Sequence, residues 1–99
     1  MILSWFDARQ AKEFGTSLAV FFIERIPAKQ DIGEKKFTEK SQKTLDQMTA
    51  QVAQFKMQNK LNTYKKAQLG NAFKWTLKDA GLAPSQVDQL TKWLMLHIS

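Results

Sequence analysis

Six lysines lie in a stretch of the chain that contains no acidic residue. The stretch covers residues 47–78, and its lysines are Lys56, Lys60, Lys65, Lys66, Lys74 and Lys78. Apolar and aromatic side chains are interleaved with them: Phe55, Met57, Tyr64, Phe73 and Trp75. Ammonium groups attract phosphates and carboxylates, and apolar side chains beside them favour contact with a macromolecule. The stretch therefore predicts a surface that binds a partner, without naming it.

The positive charge of the chain is confined to its centre. Residues 35–78 carry ten lysines against two acids, a charge of +8, while residues 1–34 and 79–99 carry −1 each, which gives the net +6. Thirteen of the fifteen basic residues are lysines. Because arginine is the residue that best recognises phosphate or guanine through two parallel hydrogen bonds, this composition favours a diffuse electrostatic contact over base recognition.

Groups that could perform catalysis are scarce and scattered. His97 is the one histidine, it lies two residues from the end of the sequence, and there is no cysteine. A lone histidine with dispersed acids does not form a metal site or a nucleophile with its base. There is also no glycine-rich phosphate loop. We therefore expect a non-enzymatic protein without cofactor, metal or small-molecule substrate.

The elements that must position these residues are all predicted to be helical. Apolar residues recur at three- and four-residue steps, and no segment alternates as a strand does. The expected fold is an all-α bundle of about four helices, approximately 5–26, 34–64, 67–80 and 85–98, within a single domain over residues 1–99. The longest apolar run, Leu18–Ile23, is far shorter than the roughly 20 residues that cross a bilayer. With no cysteine to support secretion, we expect a cytoplasmic protein.

The first predicted helix is the most apolar of the four. One side carries a stripe of small residues, Ala8, Ala11, Gly15 and Ala19, which would let another helix approach closely. Val20 and Ile23 add apolar side chains to the remaining side of its last two turns. We expect this helix to lie at the centre of the fold and to pack against the long second helix, with Gly81 ending the third.

The long second helix carries two apolar stripes. The first includes Leu45, Met48, Val52 and Phe55 and turns polar at Asn59. The second, on roughly the opposite side, includes Ala50, Ala53, Met57, Leu61 and Tyr64. Either the helix lies between two layers, or it bends near residues 59–62 and changes which side it buries. The sequence leaves both alternatives open.

Two functions follow from these stripes and lysines. The leading hypothesis is a helical interaction module that binds a protein partner, or forms a homodimer, through Met57, Leu61, Tyr64 and Trp75. The alternative is a nucleic-acid-binding protein whose six lysines contact phosphates. On an unbroken helix Lys56, Lys60, Lys74 and Lys78 would form one strip. A solvated lysine face between two buried stripes would produce the same pattern.

Two further hypotheses rest on shorter segments. Residues 73–93 can be drawn as a DNA-binding helix-turn-helix with Gly81 in the turn, although an ordinary helical hairpin explains them equally well. The segment Ile2, Leu3, Trp5, Phe6 could lie in an anionic membrane interface, against which the nearby acids Asp7 and Glu13 argue.

Overall fold

The computed structural model describes residues 6–26 and 34–99, with side chains over 6–26 and 41–99. Helices are the regular elements of these residues, which confirms the predicted all-α class and the number of four helices. We name them α1 to α4 in chain order: Arg9–Arg25, Glu34–Gln58, Thr63–Asp79 and Pro84–Ile98. The fold measures 48 × 23 × 19 Å. Its 25-residue helix α2, about 37 Å at 1.5 Å per residue, is long enough to span most of that length.

The closest helix contact is between α1 and α3, where small residues let the backbones approach. The predicted small stripe is buried on α1 and at the N-cap residue before it: Ala8, Ala11, Gly15 and Ala19. A Cβ on Gly15 would overlap the carbonyl oxygen of Leu69 and lie 3.3 Å from the Cβ of Ala72. The expected contact of α1 with the long helix is present but is the smaller one, because the principal neighbour of α1 is α3. Helix α2 contributes a smaller contact, in which Phe55 stacks on Phe14 with ring centroids 4.2 Å apart.

Helix α1 also keeps a side that faces solvent, contrary to its expected central position. Val20 is 38% exposed, and Glu24 and Arg25 are exposed in the turn that follows. Helix α3 has packed neighbours on two sides, since its Gly70 lies so close to α4 that an added Cβ would be 2.8 Å from the Met95 sulfur. The core is consequently shared among all four helices, and its largest fully buried side chains include Phe22, Phe73, Leu18, Met48, Leu69, Leu77, Leu94 and Ile98.

The chain leaves the helical conformation between α2 and α3, over residues 59–62. The sequence left two alternatives open, a long helix between two layers or a bend near residues 59–62. The structure has a change at these residues, and it is a complete break in the helix. The expected boundaries at residues 64 and 67 are therefore wrong, since α2 ends at Gln58 and α3 begins at Thr63.

Two asparagines account for this break. The Asn59 side-chain amide donates to the carbonyl of Phe55 at 3.1 Å, at the end of α2. The Asn62 side chain caps α3 by accepting from the backbone N–H of Lys65 at 2.8 Å. Short polar side chains of this kind compete with the helical backbone for hydrogen bonds and favour helix ends. Residues before and after the break therefore do not continue a common stripe.

The turn between α3 and α4 follows the sequence prediction. Gly81 has φ of +90°, a left-handed conformation that glycine adopts without steric cost. Its N–H donates to the carbonyl of Lys78 at 3.0 Å, and the N–H of Leu82 donates to that of Leu77 at 3.4 Å. These two bonds form a Schellman motif, and Leu82 and Leu77 are both buried. The hairpin that results fixes α4 alongside α3.

Helix α1 begins later than expected. Its first residue is Arg9 rather than residue 5, and the Asp7 carboxylate accepts from the Arg9 backbone N–H at 3.3 Å. The Arg9 side chain donates to both carboxylate oxygens of Asp7, and the two groups form an ion pair of 2.9 Å. The helix ends at Arg25, because Ile26 precedes Pro27 in the sequence and residues before proline avoid the helical conformation.

Candidate interaction surface

The break at residues 59–62 separates the four side chains predicted to form one partner surface. Met57, in the last turn of α2, is 88% exposed. Leu61 and Tyr64 are partly buried and pack against the core, and the Tyr64 ring also meets Phe6 edge-on at 5.5 Å. Trp75 is 58% exposed on α3, about 18 Å along the helix from its first residue. Met57 and Trp75 therefore offer apolar area at different places on the protein.

A groove between α2 and the end of α4 adjoins Met57. It has a volume of about 330 Å³. We call it the Met57 groove and define it by its lining residues: Thr49, Val52, Ala53, Lys56, Met57 and His97. Ala53 and Met57 belong to the second apolar stripe predicted for this helix, and both are exposed. That stripe is thus open to solvent on α2, while the first stripe is turned toward the core with Met48 and Val52 fully buried.

A second groove lies where α2, α3 and the end of α4 meet. It has a volume of about 420 Å³, and we call it the lysine corner. Its lining residues are Lys56, Asn59, Lys60, Leu61, Lys66, Ile98 and Ser99. Three of the six lysines singled out in the sequence therefore converge here, although they come from the end of α2, the break and the first turn of α3. The strip of lysines expected on an unbroken helix does not form, because the helix is interrupted.

Lys56 forms the wall between the two grooves. It lines both of them, and its ammonium group donates to the His97 carbonyl oxygen at 3.0 Å. This bond joins the last turn of α2 to the last turn of α4, where backbone carbonyls have no partner within the helix. A lysine in this position also complements the negative end of the helix dipole. Lys56 thus has a structural role, whereas the ammonium groups of Lys60 and Lys66 have no hydrogen-bond or ion-pair partner within residues 6–26 and 41–99.

The other three lysines lie elsewhere. Lys65 lines a depression near the start of α1 with Asp7, Arg9, Gln10 and Glu13. Lys78 places its ammonium group 4.9 Å from the centroid of the Trp75 ring, a cation–π contact that covers part of that ring. Lys74 lines a groove between α3 and α4. The six lysines consequently do not form one continuous track.

The groove between α3 and α4 is a third candidate surface. Besides Lys74 it is lined by Asp88, Thr91, Lys92, Met95, Leu96 and Ser99, with a volume of about 480 Å³. Leu96 is 78% exposed, and the Thr91 hydroxyl is buried without a hydrogen-bond partner among the described residues. The charges at its edge are mixed, since Asp88 stands near two lysines. This groove therefore lacks the uniform charge of the lysine corner.

Residues of α4 complete these surfaces, and sequence reasoning missed them. The predicted apolar face of α4 is Val87, Leu90, Leu94 and Ile98, and all four are buried. The helix also carries three apolar residues outside this face: Trp93, Met95 and Leu96. Trp93 and Met95 pack partly against the core and Leu96 faces solvent. The surplus of apolar residues in the last two turns of α4 is the sequence signal that could have indicated these surfaces.

His97 is held as a structural residue. Its Nδ1 lies 2.8 Å from the Trp93 carbonyl oxygen, which can only accept, so Nδ1 carries the hydrogen. The imidazole also packs on the Trp93 ring with centroids 4.6 Å apart. The hydroxyl of Ser99 donates to the Met95 carbonyl at 2.6 Å. Together with Lys56, these bonds satisfy three carbonyls in the last turns of α4.

Two kinds of site are absent from the part of the chain that the structure describes. No three acidic or histidine side chains converge there to hold a metal ion. None of the helices in that part has the length and apolar character needed to cross a bilayer. Of the proposed interfacial segment, Ile2, Leu3 and Trp5 lie outside the described residues.

Comparison with protein-family models, with curated proteins and with solved structures gave no match. We therefore infer function from the geometry, exposure and charge of the surfaces described above.

Proposed function

We propose that the protein is a small non-enzymatic helical interaction module that docks a protein partner, or a second copy of itself, on the Met57 groove. The observation that carries this proposal is the 88% exposure of Met57 beside a groove between two packed helices. Methionine is flexible and polarisable, and it is used at surfaces that accept apolar groups of varied shape. A partner that covers it gains the burial of a full apolar side chain, about 1.5–3 kcal/mol.

The composition of the groove supports the same proposal. Val52 forms a buried apolar floor, Ala53 leaves space above α2, and the imidazole of His97 provides the opposite wall. Lys56 and His97 are fixed by the bonds described above, so the walls are ordered before a partner arrives. Preorganised surfaces lose less conformational entropy on binding. Interfaces typically place such an apolar centre inside a polar rim, which Thr49 and Lys56 provide.

Photo-crosslinking tests this function directly. We would replace Met57 by a photoreactive phenylalanine derivative in cells that produce the protein, with Val20 as the matched control position. Val20 is also an exposed apolar helical residue, and it lies about 120° around α1 from Phe14, which faces α2. We expect adducts from position 57 and not from position 20. Adducts of twice the 11.4 kDa chain mass would identify a second copy. Equal labelling at both positions, or none at 57, would contradict the proposal.

The alternative function is nucleic-acid binding through phosphate contacts. The convergence of Lys56, Lys60 and Lys66 at one corner favours it. An anisotropy titration with a mixed-sequence DNA duplex tests it, because neutralising three phosphates lowers the affinity by roughly 40-fold between 50 and 200 mM salt. Binding that falls in this way, and is lost in a Lys60→Gln/Lys66→Gln variant, would support the alternative. Absence of binding at low salt would remove it.

A further inference from the structure

We propose that the partner of the Met57 groove is an acidic amphipathic helix, which lies across both the Met57 groove and the lysine corner. This inference rests on the function proposed above and specifies its occupant. The two grooves share one wall, Lys56, and both reach the end of α4. An occupant of one groove is therefore within reach of the charged groups of the other.

The charge at the lysine corner exceeds what the fold itself needs. The end of α4 carries the equivalent of about −0.5 charge, which the three ammonium groups at this corner outweigh. Lys56 already caps α4, and the surplus resides chiefly on Lys60 and Lys66. No acidic side chain lines this corner, and no acid of the described residues forms an ion pair with them. A partner with carboxylates at this corner would do so.

This charge argues against a second copy as the occupant. A two-fold interface brings the same patch of both chains together. Two lysine corners would then approach each other across the Met57 grooves, and like charges brought together in an interface oppose association. A partner of opposite charge meets no such repulsion.

The shape of the surface favours a helix over a nucleic acid. Met57 and Lys60 are three positions apart in the sequence, so at most about 11 Å of chain separates the apolar part of the surface from the cationic part. An amphipathic helix presents apolar and charged side chains at that spacing, and it binds grooves by anchors at positions i, i+3 or i+4, and i+7. A phosphate backbone has no apolar side chain to cover Met57. Arginine, which binds phosphate through bidentate hydrogen bonds, is absent from the lining of both grooves.

The methionines of the chain provide a site-resolved test with the full-length protein. Met57 reports on the proposed groove, Met95 on the groove between α3 and α4, and the fully buried Met48 on the core. The chain would be labelled with ¹³C in the methionine methyl groups and titrated with a synthetic 18-residue amphipathic peptide carrying leucines on one face and glutamates beside them. Two control peptides have the glutamates replaced by lysines, or the same composition in an order without an apolar face.

We expect the acidic amphipathic peptide to shift the Met57 methyl resonance and to leave those of Met48 and Met95 in place. The double variant Lys60→Gln/Lys66→Gln should lower the affinity about five- to tenfold at low salt. Its matched control, Lys74→Gln/Lys78→Gln, removes the same charge away from the corner and should change the affinity less than about twofold.

Other outcomes would overturn the inference in distinguishable ways. If the basic peptide shifts Met57 as strongly, the groove docks apolar helices without regard to charge, and only the acidic partner is refuted. If the permuted peptide binds equally well, charge alone attracts it. A Met57 shift that depends on protein concentration without peptide identifies a second copy. If no peptide shifts Met57 while position 57 still forms crosslinks in cells, the proposed function stands and this occupant is wrong.

Discussion

The α1–α3 contact and the packing of α2 differ in how closely the backbones approach. At Gly15 the α1 backbone touches the carbonyl of Leu69 so tightly that no Cβ fits between them. Helix α2 meets its neighbours through side chains, such as the stacked rings of Phe14 and Phe55, and ends in the exposed Met57. The first contact is specialised for stability. The second leaves one face of a long helix uncovered, and this is the face on which we place the partner.

The largest effect should come from the core that α1 and α3 share. We expect Phe73→Ala to lower the free energy of unfolding by about 3–5 kcal/mol, because Phe73 is fully buried and its truncation leaves a cavity in the core. Phe55→Ala, on α2, should cost about 1–2 kcal/mol, since that ring is half-buried and stacks on one neighbour. Urea denaturation followed by circular dichroism measures both. Equal costs would show that the two regions do not differ.

Substitution of two glycines tests the close backbone approach. Gly15→Ala should cost about 1–3 kcal/mol, because the added methyl group meets the rigid backbone of α3. Gly70→Ala is the matched control, as its methyl group would meet the flexible end of Met95 and alanine favours the helix by about 1 kcal/mol. We expect this variant to stay within about 1 kcal/mol of the parent in urea denaturation. A destabilised Gly70→Ala beside a tolerated Gly15→Ala would contradict the assignment of the tight contact.

Met57 should matter little for folding. We expect Met57→Gln to change the free energy of unfolding by less than about 0.5 kcal/mol, since the side chain is 88% exposed. The same variant should weaken binding of the acidic amphipathic peptide, because its amide cannot replace the apolar contact. Thermal denaturation measures the first effect, and the anisotropy of a fluorescently labelled peptide measures the second, so the two effects are separated. A large loss of stability would show that Met57 serves the core.

The smallest effect concerns Asp7, next to the α1–α3 pair. Hydrogen bonds from Arg9, first from its side chain and then from its backbone, lower the pKa of Asp7 from 3.8 to about 2. A lowered pKa means that the ion pair contributes stability above pH 3.8 and that this contribution is lost as the pH falls through about 2. Asp7→Asn should remove this pH dependence. Because the pair is exposed, the difference should be small and should shrink with added salt.

A carboxyl ¹³C titration of Asp7 measures that pKa without relying on stability. We expect a midpoint near 2 in the parent and a value closer to 3.8 in an Arg9→Gln variant, which loses the charge and the reach of the guanidinium group. An unchanged midpoint in that variant would refute the role of Arg9.

The sequence predicted helix number and class because apolar periodicity within each segment is a local property. It also predicted the small stripe around Gly15 and the end of α3 at Gly81, where local chemistry decides the backbone conformation. It did not predict that α3 is the main neighbour of α1. Which helices pack together depends on where the chain turns. The break at residues 59–62 makes α3 a separate helix, which can pack on α1. The signal for the break was Asn62, a good N-cap residue, which the continuing periodicity obscured.

The candidate surface was predictable only in the part that depends on the local periodicity of one helix. The exposed position of Met57 follows from the second stripe of α2, which the core does not need. The burial of Leu61 and Tyr64 and the separate position of Trp75 follow from the break, so they could not be obtained from a continuous helix. Lys66 lies in the same groove as Lys56 because of the tertiary structure, and a helical projection does not predict this proximity.

The most direct test of the account is methionine oxidation in the producing cell compared with the purified protein. Met57 should oxidise fastest in isolation, Met95 more slowly, and the buried Met48 slowest, in the order of their exposure. In the cell we predict that Met57 is protected relative to Met95, because a partner covers the Met57 groove. If Met57 oxidises as readily in the cell as in isolation, the exposed face of α2 is only a solvated surface and the proposed docking site is wrong.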